Sequence, residues 1–313
     1  MGTPDTAAAN WLRLAFDEIA EKHPKAIDAD ALLAFARDPK RAGRPRRVAL
    51  GLVERLRPGT TAKLLPGWLD DPEFRADAVE AALARVQGDK ELPKEKAISS
   101  LREILEAARD LDQVQAAAAR LKERGVDVNV ARHMGFLRDW YVIGPFDGLG
   151  KKSFKTVYPP ENGVDLAATP EGKGGRKLRW QRLNAAESNT GRYPVLINLR
   201  KPLGDAEDAV AYAWTSFEVP KDRTVEFRGA ADDNMTVWVN GERVFAFEEY
   251  HNGVRVDRHR FPVKLKAGVN TVLLKVCQAP IEPDSDLPNW EFFLRITDAT
   301  GKGLTFPLAK SMR

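Results

Sequence analysis

The sequence predicts a multidomain chain of α and β type, with an α-helical repeat domain over residues 1–135 and an antiparallel β-sandwich of jelly-roll type over residues 136–313. Apolar residues recur at intervals of three and four up to about Arg132, which predicts helices, and at intervals of two after Phe136, which predicts strands. Within segment 231–247, Asn240-Gly241 separates two alternating apolar runs, and this dipeptide is the strongest short signal for a β-hairpin.

Length and composition limit the class of protein. A chain of 313 residues suits two domains better than one, and 43% hydrophobic with 30% charged residues is typical of a globular protein. Lysine and arginine exceed aspartate and glutamate by only 49 to 45. The one dense basic run lacks the interleaved aromatics that stack on bases; it consists of Lys40, Arg41, Arg44, Arg46 and Arg47. We therefore expect a solvated helix start or loop there, with a polyanion site as the alternative, and no nucleic-acid partner.

The cysteine content and the chain start bear on the cellular environment. Cys277 is the single cysteine, which excludes an internal disulfide and a cysteine-based metal cluster, and its apolar neighbours predict burial rather than a nucleophilic role. The sequence contains no pattern of a membrane span, and its first residues have no apolar signal core. We expect an exported protein, periplasmic or extracellular, with the signal peptide absent from this chain; a cytoplasmic location is the alternative.

Proline and glycine divide the first half into helices of moderate length. Breaks are predicted at Pro24, at residues 39–45, at Pro58-Gly59 and at residues 88–93. Segments 31–56 and 63–86 repeat one pattern of two leucines, an Asp-Pro pair, an arginine and an Ala/Val/Leu helix, with Asp38-Pro39 and Asp71-Pro72 in matching positions. The second segment resembles a HEAT-type helical repeat, in which Asp caps the helix that follows the turn. A small irregular bundle is the alternative.

The second half contains ten runs with the composition and alternation of short strands. They are residues 140–143, 178–183, 195–199, 209–219, 224–229, 236–239, 243–247, 259–265, 270–277 and 290–297. Short antiparallel strands separated by Gly, Pro and Asp turns predict a β-sandwich or jelly roll. Residues 148–175 lack periodicity, and we expect them to wrap the sandwich as an ordered loop.

Five motifs in this half resemble those of a known family. They are DWYVIGPFDG, FKTVYPPENGVDL, GKGGRKLRWQRL, ADDNMTVWVNGERVF and VKLKAGVNTVLLKV, which begin at residues 139, 154, 172, 231 and 263. The chain is similar here to galactose-binding-like jelly-roll accessory domains of planctomycete-type exported proteins, often found beside helical repeats or sugar-degrading domains. The resemblance implies a carbohydrate-binding module or a spacer domain. Residues 278–289 depart from the short glycine-rich turn that the family carries there.

Candidate sugar-binding residues are aromatic and polar side chains on loops, because flat rings stack on pyranoses and polar groups bind their hydroxyls. Loop 248–259 supplies Tyr250, His251 and Arg255, and loop 278–290 supplies Asp286 and Trp290. If both loops lie at one edge, they form a polar cleft with an aromatic floor. Trp180, beside the glycine-rich segment, completes the predicted binding set. For tryptophans in strands, including Trp290, core packing or cover of a sheet face is the alternative.

The sequence offers one paired-carboxylate turn as a candidate metal site and no recognisable catalytic motif. Asp232 and Asp233, just before the hairpin, offer hard oxygen ligands for a structural calcium ion, although such aspartates also bond the backbone amides of turns. No other cofactor is predicted. The sequence contains no zinc-binding histidine pair, nucleophile elbow, phosphate loop or dinucleotide fingerprint, and its many acids cannot be paired into a glycosidase dyad.

These patterns predict a protein that acts by recognition rather than catalysis. The sandwich is expected to bind a glycan, and the helical repeats to bind a protein partner. Two alternatives stay open: an accessory region of a polysaccharide-degrading enzyme, and a purely structural sandwich that caps the repeats.

Overall fold

The computed structural model describes residues 6–184, 195–250, 253–280 and 289–312. The chain divides into two compact units, Met1–Val128 and Asn129–Arg313. The first is helical, and the second is built mainly from strands. Within the described residues, no helix combines the length and the apolar character that crossing a membrane requires.

The first unit is helical as the periodicity predicts. Its helices are α1 (Thr6–Lys22), α2 (Ala29–Arg37), α3 (Gly43–Leu56), α4 (Thr60–Leu64), α5 (Arg75–Gly88), α6 (Lys94–Ala107) and α7 (Leu111–Glu123). The breaks at Pro24, at Pro58-Gly59 and after Gly88 are confirmed. The predicted break at residues 39–45 is too long, because α3 already contains Pro45. The first helical turn has no partner for its amide groups, so proline is accepted there.

Aspartate side chains bind backbone amides near the starts of two helices: Asp110 caps α7, whereas Asp71 binds amides of the turn before α5, so the predicted Asp-Pro cap of the following helix is wrong for α5, whose cap residue is Phe74. Asp71 Oδ1 accepts hydrogen bonds from the amides of Glu73 at 2.9 Å and Phe74 at 3.2 Å. Asp110 Oδ1 accepts hydrogen bonds from the amides of Asp112 at 3.0 Å and Gln113 at 3.3 Å in the same way. These bonds satisfy amides that have no partner within a helix.

The basic run of this unit is only partly a solvated surface. Arg46 is 1% exposed, and its guanidinium binds both carboxylate oxygens of Asp71, at 3.1 and 2.5 Å. Its Nε donates to the carbonyl of Ala36 at 2.8 Å. The expectation of a uniformly solvated helix start is therefore wrong for Arg46, whose burial depends on residues that are distant in sequence.

The second unit contains two antiparallel sheets. Its helices are α8 (Val130–His133) and α9 (Arg200–Leu203), and its strands are β1 (Asp139–Asp147), β2 (Gln181–Asn184), β3 (Ile197–Asn198), β4 (Ala209–Val219), β5 (Arg223–Asp232), β6 (Asn234–Val239), β7 (Glu242–Phe247), β8 (His259–Leu265), β9 (Gly268–Gln278) and β10 (Glu291–Thr297). One sheet has the order β2-β1-β4-β9-β6-β7, and the other has the order β3-β10-β5-β8.

Each predicted strand is present; β2, β3 and β10 are shorter than predicted, β10 by one residue. The hairpin between β6 and β7 is confirmed, and Asn240 and Gly241 both have positive φ, at 52° and 81°. Strand β2 begins three residues late because the amide of Leu178 donates to the carbonyl of Pro170, at 2.8 Å, instead of joining the sheet. The predicted strand at 195–199 is reduced to β3, at Ile197–Asn198.

The two sheets enclose one shared core. Val237 and Leu274 of the six-stranded sheet belong to the same apolar cluster as Phe227 and Leu294 of the four-stranded sheet. Trp140 and Trp290 are in this cluster and are 0% exposed. Because the ring of Trp290 is enclosed between the sheets, it offers no face to a sugar, and its place in the predicted binding set is corrected to core packing.

A second apolar cluster covers the outer face of the six-stranded sheet, away from the shared core. Residues of segment 148–180, such as Tyr158 and Leu178, pack there against Ile143 and Tyr212 of the sheet. The prediction that residues 148–175 form an ordered loop on the sandwich is confirmed for the outer face of the six-stranded sheet, where Phe154, Tyr158 and Val164 pack.

Candidate functional site

Large side chains form a continuous row across the outer face of the six-stranded sheet. The pairing register places Tyr141 of β1 opposite Trp214 of β4, Trp214 opposite Leu273 of β9, and Leu273 opposite Trp238 of β6. Directly opposed residues of antiparallel strands project from the same face, so these four side chains are neighbours. We call them the aromatic row. The ring centroids of Tyr141 and Trp214 are 6.3 Å apart.

The aromatic row has an arginine at each edge of the sheet. Arg182 of β2 is opposite Tyr141, and Arg243 of β7 is opposite Trp238; both are exposed. The row runs across the strands rather than along them. Since neighbouring strands are about 4.8 Å apart, it spans roughly 25 Å from one arginine to the other.

A groove of about 270 Å³ lies over the central part of the aromatic row. One side consists of Pro160, Glu161, Gly163 and Val164, and the other side and floor consist of Trp214, Trp238, Gly241, Thr271 and Leu273. Trp238 is partly exposed, whereas Trp214 retains 9% exposure. The groove therefore combines indole surfaces with a carboxylate.

A buried lysine holds the loop that supplies this carboxylate. Lys275 of β9 is 1% exposed, and its Nζ donates to Glu161 Oε1 at 2.9 Å and to the carbonyl of Thr156 at 2.6 Å. Glu161 Oε1 also accepts a hydrogen bond from the hydroxyl of Tyr212. Among the described residues, Glu161 Oε2 receives no hydrogen bond, so this oxygen is available to a ligand.

Burial governs the protonation of the groups under this loop. Burial raises the pKa of Tyr212 above its ordinary value, and its hydrogen bond to Glu161 raises it further. Burial also raises the pKa of Tyr158. The pKa of the Cys277 thiol is raised to about 12, mainly by burial, so the thiol stays protonated near neutral pH. The prediction that Cys277 is a buried apolar residue is confirmed.

Trp180 and Tyr250 are in different places on the second unit. Trp180 is partly exposed and packs against the outer-face cluster, whose members include Tyr141 of the aromatic row. Tyr250 follows β7, and its hydroxyl donates to the carbonyl of Lys151 at 2.8 Å. The Lys151 Nζ lies 5.5 Å from the centroid of the Tyr250 ring, and burial raises the pKa of Tyr250 to about 12.

The other predicted binding residues belong to the loops after β7 and β9. Arg255 is exposed, while His251 and Asp286 lie outside the described residues. In the pairing register, Met235 is opposite Phe247, and Asn234 is opposite Cys277. The two loops therefore leave the six-stranded sheet at the same end, as the predicted cleft requires.

The predicted calcium ligands lie at that same end: Asp232 is the last residue of β5, and Asp233 connects it to β6. Asp232 and Asp233 are both buried. Asp233 Oδ2 accepts a hydrogen bond from the amide of Ala279 at 2.7 Å, which matches the alternative role of bonding a turn backbone. Over the described ranges, no cluster of three or more His, Cys, Asp or Glu side chains could hold a metal ion. The calcium site stays a prediction.

Sequence reasoning missed the aromatic row, Glu161 and Lys275 as site residues. One signal was present: Tyr212 and Trp214 are two residues apart in a strand, which places them on one face. The sequence did not show that this face is the outer one, nor that Trp238 and Tyr141 align with Trp214 across three other strands.

Comparisons with known proteins show only partial likeness. No protein-family model matches the chain, and no curated protein matches it either. Among solved structures, an anti-sigma factor domain-containing protein is 13% identical with a TM-score of 0.29, over 58% of this chain and 47% of that chain. A β-glucuronidase of an uncultured Clostridium is 14% identical with a TM-score of 0.29, over 52% of this chain and 29% of that chain.

A third solved structure with partial likeness is a PA14 sugar-binding domain from an RTX adhesin. It is 20% identical with a TM-score of 0.21, over 28% of this chain and 46% of that chain. The chain thus spans less than half the length of each of these three proteins. TM-scores this low identify neither a shared fold nor a shared activity.

Proposed function

We propose that the second unit is a non-catalytic carbohydrate-binding module, a jelly roll of the galactose-binding-like kind, and that its groove over the aromatic row binds a glycan. The observation that carries the proposal is the alignment of Tyr141, Trp214 and Trp238 on one sheet face beside Glu161. Indole and phenol rings stack on the apolar face of a pyranose, and a carboxylate oxygen accepts hydrogen bonds from its hydroxyls.

The spacing of the rings supports a chain-like ligand. Trp214 and Trp238 are on strands separated by β9, which puts their backbones about 10 Å apart. An extended sugar chain lying across the strands advances by about one strand spacing for each sugar, so the two indoles would contact alternate sugars. The groove volume of about 270 Å³ suits one or two of these sugars, with the rest of the chain on the open part of the row.

The acidic content of the groove favours binding over hydrolysis. Glycoside hydrolysis generally uses two carboxylates that face each other across the scissile bond. Glu161 is the one acid among the described residues that line the groove, and its Oε1 is already bonded to Lys275. A role as the accessory region of a polysaccharide-degrading enzyme stays an alternative, because such a region needs only the binding function.

The end of the unit that carries Tyr250 and Arg255 is a second candidate glycan surface. His251 and Asp286 belong to the same two loops, and these loops leave the same end of the sheet from the strands on either side of β6. We retain the proposal that these residues contribute to glycan binding and that Asp232 and Asp233 hold a structural calcium ion. Loss of binding on substitution of Tyr250, with binding retained on substitution of Trp238, would favour this end over the groove.

We propose further that the first unit is a HEAT-like repeat scaffold that contacts a protein partner. Each repeated segment has an arginine that binds a carbonyl of its own turn, although the arginines are eight residues after Asp38 and four residues after Asp71: Arg46 Nε donates to the Ala36 carbonyl at 2.8 Å, and Arg75 Nε donates to the Leu69 carbonyl at 3.2 Å. Each carbonyl precedes the Asp-Pro pair of its segment by two residues. Exposed apolar side chains on α1, such as that of Trp11, which is 73% exposed, supply surface for a partner.

We propose as well that the protein acts outside the bacterial cytoplasm.

Titration of the intact chain with plant, algal and bacterial oligosaccharides tests the glycan proposal. The groove proposal predicts that Trp238→Ala abolishes binding of the best ligand while the melting temperature stays close to that of the wild type. Trp11→Ala removes an exposed tryptophan from the helical unit and is the matched control, which should bind normally. Equal affinity of Trp238→Ala and wild type would refute the groove, and an absence of binding throughout the panel would favour a structural role for the second unit.

A further inference from the structure

A pocket of about 400 Å³ lies where the chain enters β1 of the second unit. Its lining consists of Asn129, Arg132, residues 135–139 and residues 304–308. We propose that this entry pocket binds a small organic monocarboxylate with a flat apolar body. The proposal is independent of the glycan groove, because the two share no lining residue.

Two guanidinium groups supply the positive charge of the entry pocket. Arg132 is exposed on α8, and Arg138 immediately precedes β1. Arg138 Nη2 makes a long hydrogen bond of 3.5 Å to Asn184 Oδ1, and its Nε is buried without a hydrogen-bond partner. Across the described part of the chain, no carboxylate forms an ion pair with either arginine. Because neither guanidinium has a carboxylate partner, each can bind the carboxylate of a ligand in the pocket through charge-assisted hydrogen bonds.

The charge of the lining favours a monoanion. Asp139 is the one acid among the described lining residues, and its Oδ1 accepts a hydrogen bond from Asn184 Nδ2 at 2.9 Å. Two arginines and one aspartate leave a net charge of +1 in the pocket. One carboxylate neutralises this charge, whereas a phosphate dianion would leave a negative excess.

The walls of the entry pocket are apolar and held in place by the backbone. The ring of Phe306 stacks on that of Phe217, with centroids 5.6 Å apart and planes 17° apart. The amide of Leu137 donates to the Leu294 carbonyl at 2.9 Å, and the amide of Leu304 donates to the Ile296 carbonyl at 2.8 Å. Both lining segments are thus attached to β10, so the pocket is formed before a ligand arrives, and its apolar side chains suit the apolar body of a ligand.

Titration of the intact protein with phenylacetate, phenylacetamide and inorganic phosphate, followed by NMR, tests the proposal. We expect saturable binding of phenylacetate and much weaker binding of the amide, which has the same shape without the charge. Arg138→Gln should weaken phenylacetate binding by about tenfold or more, since a charge-assisted hydrogen bond is lost. Arg260→Gln changes an exposed arginine of β8 away from the pocket and should leave the affinity unchanged.

Several results would overturn the proposal. Equal binding of the acid and the amide would show an apolar pocket without anion recognition, and tighter binding of phosphate would assign a different ligand class. An absence of saturable phenylacetate binding would also refute it. If Arg138→Gln fails to fold, Arg132→Gln, which changes an exposed side chain, decides the matter: unchanged phenylacetate affinity in this variant contradicts the pocket as described.

Discussion

The ammonium group of Lys275 lies 2.9 Å from Glu161 Oε1, although the two residues are 114 positions apart in the chain. Lys275 belongs to the centre of the six-stranded sheet, and Glu161 belongs to the loop that covers it. The same ammonium donates to the carbonyls of Phe154 and Thr156. One buried cation thus fixes both the covering loop and the carboxylate that lines the groove.

Removal of this cation is expected to damage stability and binding together. Lys275→Met fills the space but leaves the Glu161 carboxylate and two carbonyls without their donor, which should lower the free energy of unfolding by about 3 kcal/mol. Urea denaturation measures the loss, and oligosaccharide titration should show weaker binding because the groove wall is displaced. Lys264→Met, at an exposed position of β8, is the control. A Lys275→Met variant as stable as wild type would contradict this assignment.

The carboxylate of Glu161 is expected to contribute to ligand affinity. Glu161→Gln retains an oxygen acceptor for Lys275 and Tyr212 but removes the negative charge, so a charge-assisted bond to a sugar hydroxyl becomes a neutral one. Affinity should fall by a factor of about three to thirty. Glu242→Gln, an exposed acid of β7, should leave the affinity unchanged in the same calorimetric titration. Unchanged affinity for Glu161→Gln would remove this carboxylate from the site.

Asp257 is expected to make the stability of the second unit sensitive to acid. Burial alone would raise its pKa, but hydrogen bonds and charge from Arg295 and Arg228 hold the pKa below the ordinary value of 3.8. A carboxyl whose pKa is depressed by folding stabilises the folded state fully above its ordinary pKa, and that stabilisation is lost as pH falls through the folded-state pKa. Near-ultraviolet circular dichroism should therefore show that Asp257→Asn is less stable than wild type at neutral pH and that the difference narrows below about pH 4. A constant difference at all pH values would contradict this role.

The two Asp-Pro turns of the helical unit offer a matched pair of substitutions. Asp71→Ala removes the acceptor of two amides in the turn before α5 and also leaves the buried Arg46 guanidinium without its carboxylate, so it should cost about 3 kcal/mol or more of unfolding free energy. Asp38→Ala removes the same residue type at the equivalent turn, where the partner, Arg41, is largely exposed, and its effect should be much smaller. If thermal or urea unfolding shows equal losses of stability for the two variants, the buried ion pair contributes nothing to the stability of the unit.

The calcium proposal is tested by thermal unfolding with calcium and with a chelator. A bound ion stabilises the folded state by mass action, so calcium should raise the melting temperature of the wild type and not that of Asp232→Asn. Asp165→Asn, on the covering loop, is a control that should respond as the wild type does. If calcium has no effect on the wild type, Asp232 and Asp233 serve the turn alone, as the bond from Ala279 to Asp233 suggests.

Local features of the sequence determined the elements of this fold. Asn240-Gly241 specifies its turn because both residues accept positive φ, and Asp110 specifies the start of α7 because its carboxylate reaches amides two and three residues on. Strand alternation also fixed that Tyr212 and Trp214 share a face. All of these depend on residues within a few positions of one another.

Only the tertiary structure decided which face is inside and which residues meet across strands. Trp290 and Trp238 are both strand aromatics, yet one is enclosed between the sheets and the other lines the groove. The row from Tyr141 to Trp238 depends on the register of four strands from distant parts of the chain, and Lys275 is buried only because the covering loop supplies acceptors for its protons. The two-residue alternation along a strand determines which side chains point the same way. Burial and strand register, however, are set by partners that are remote in sequence.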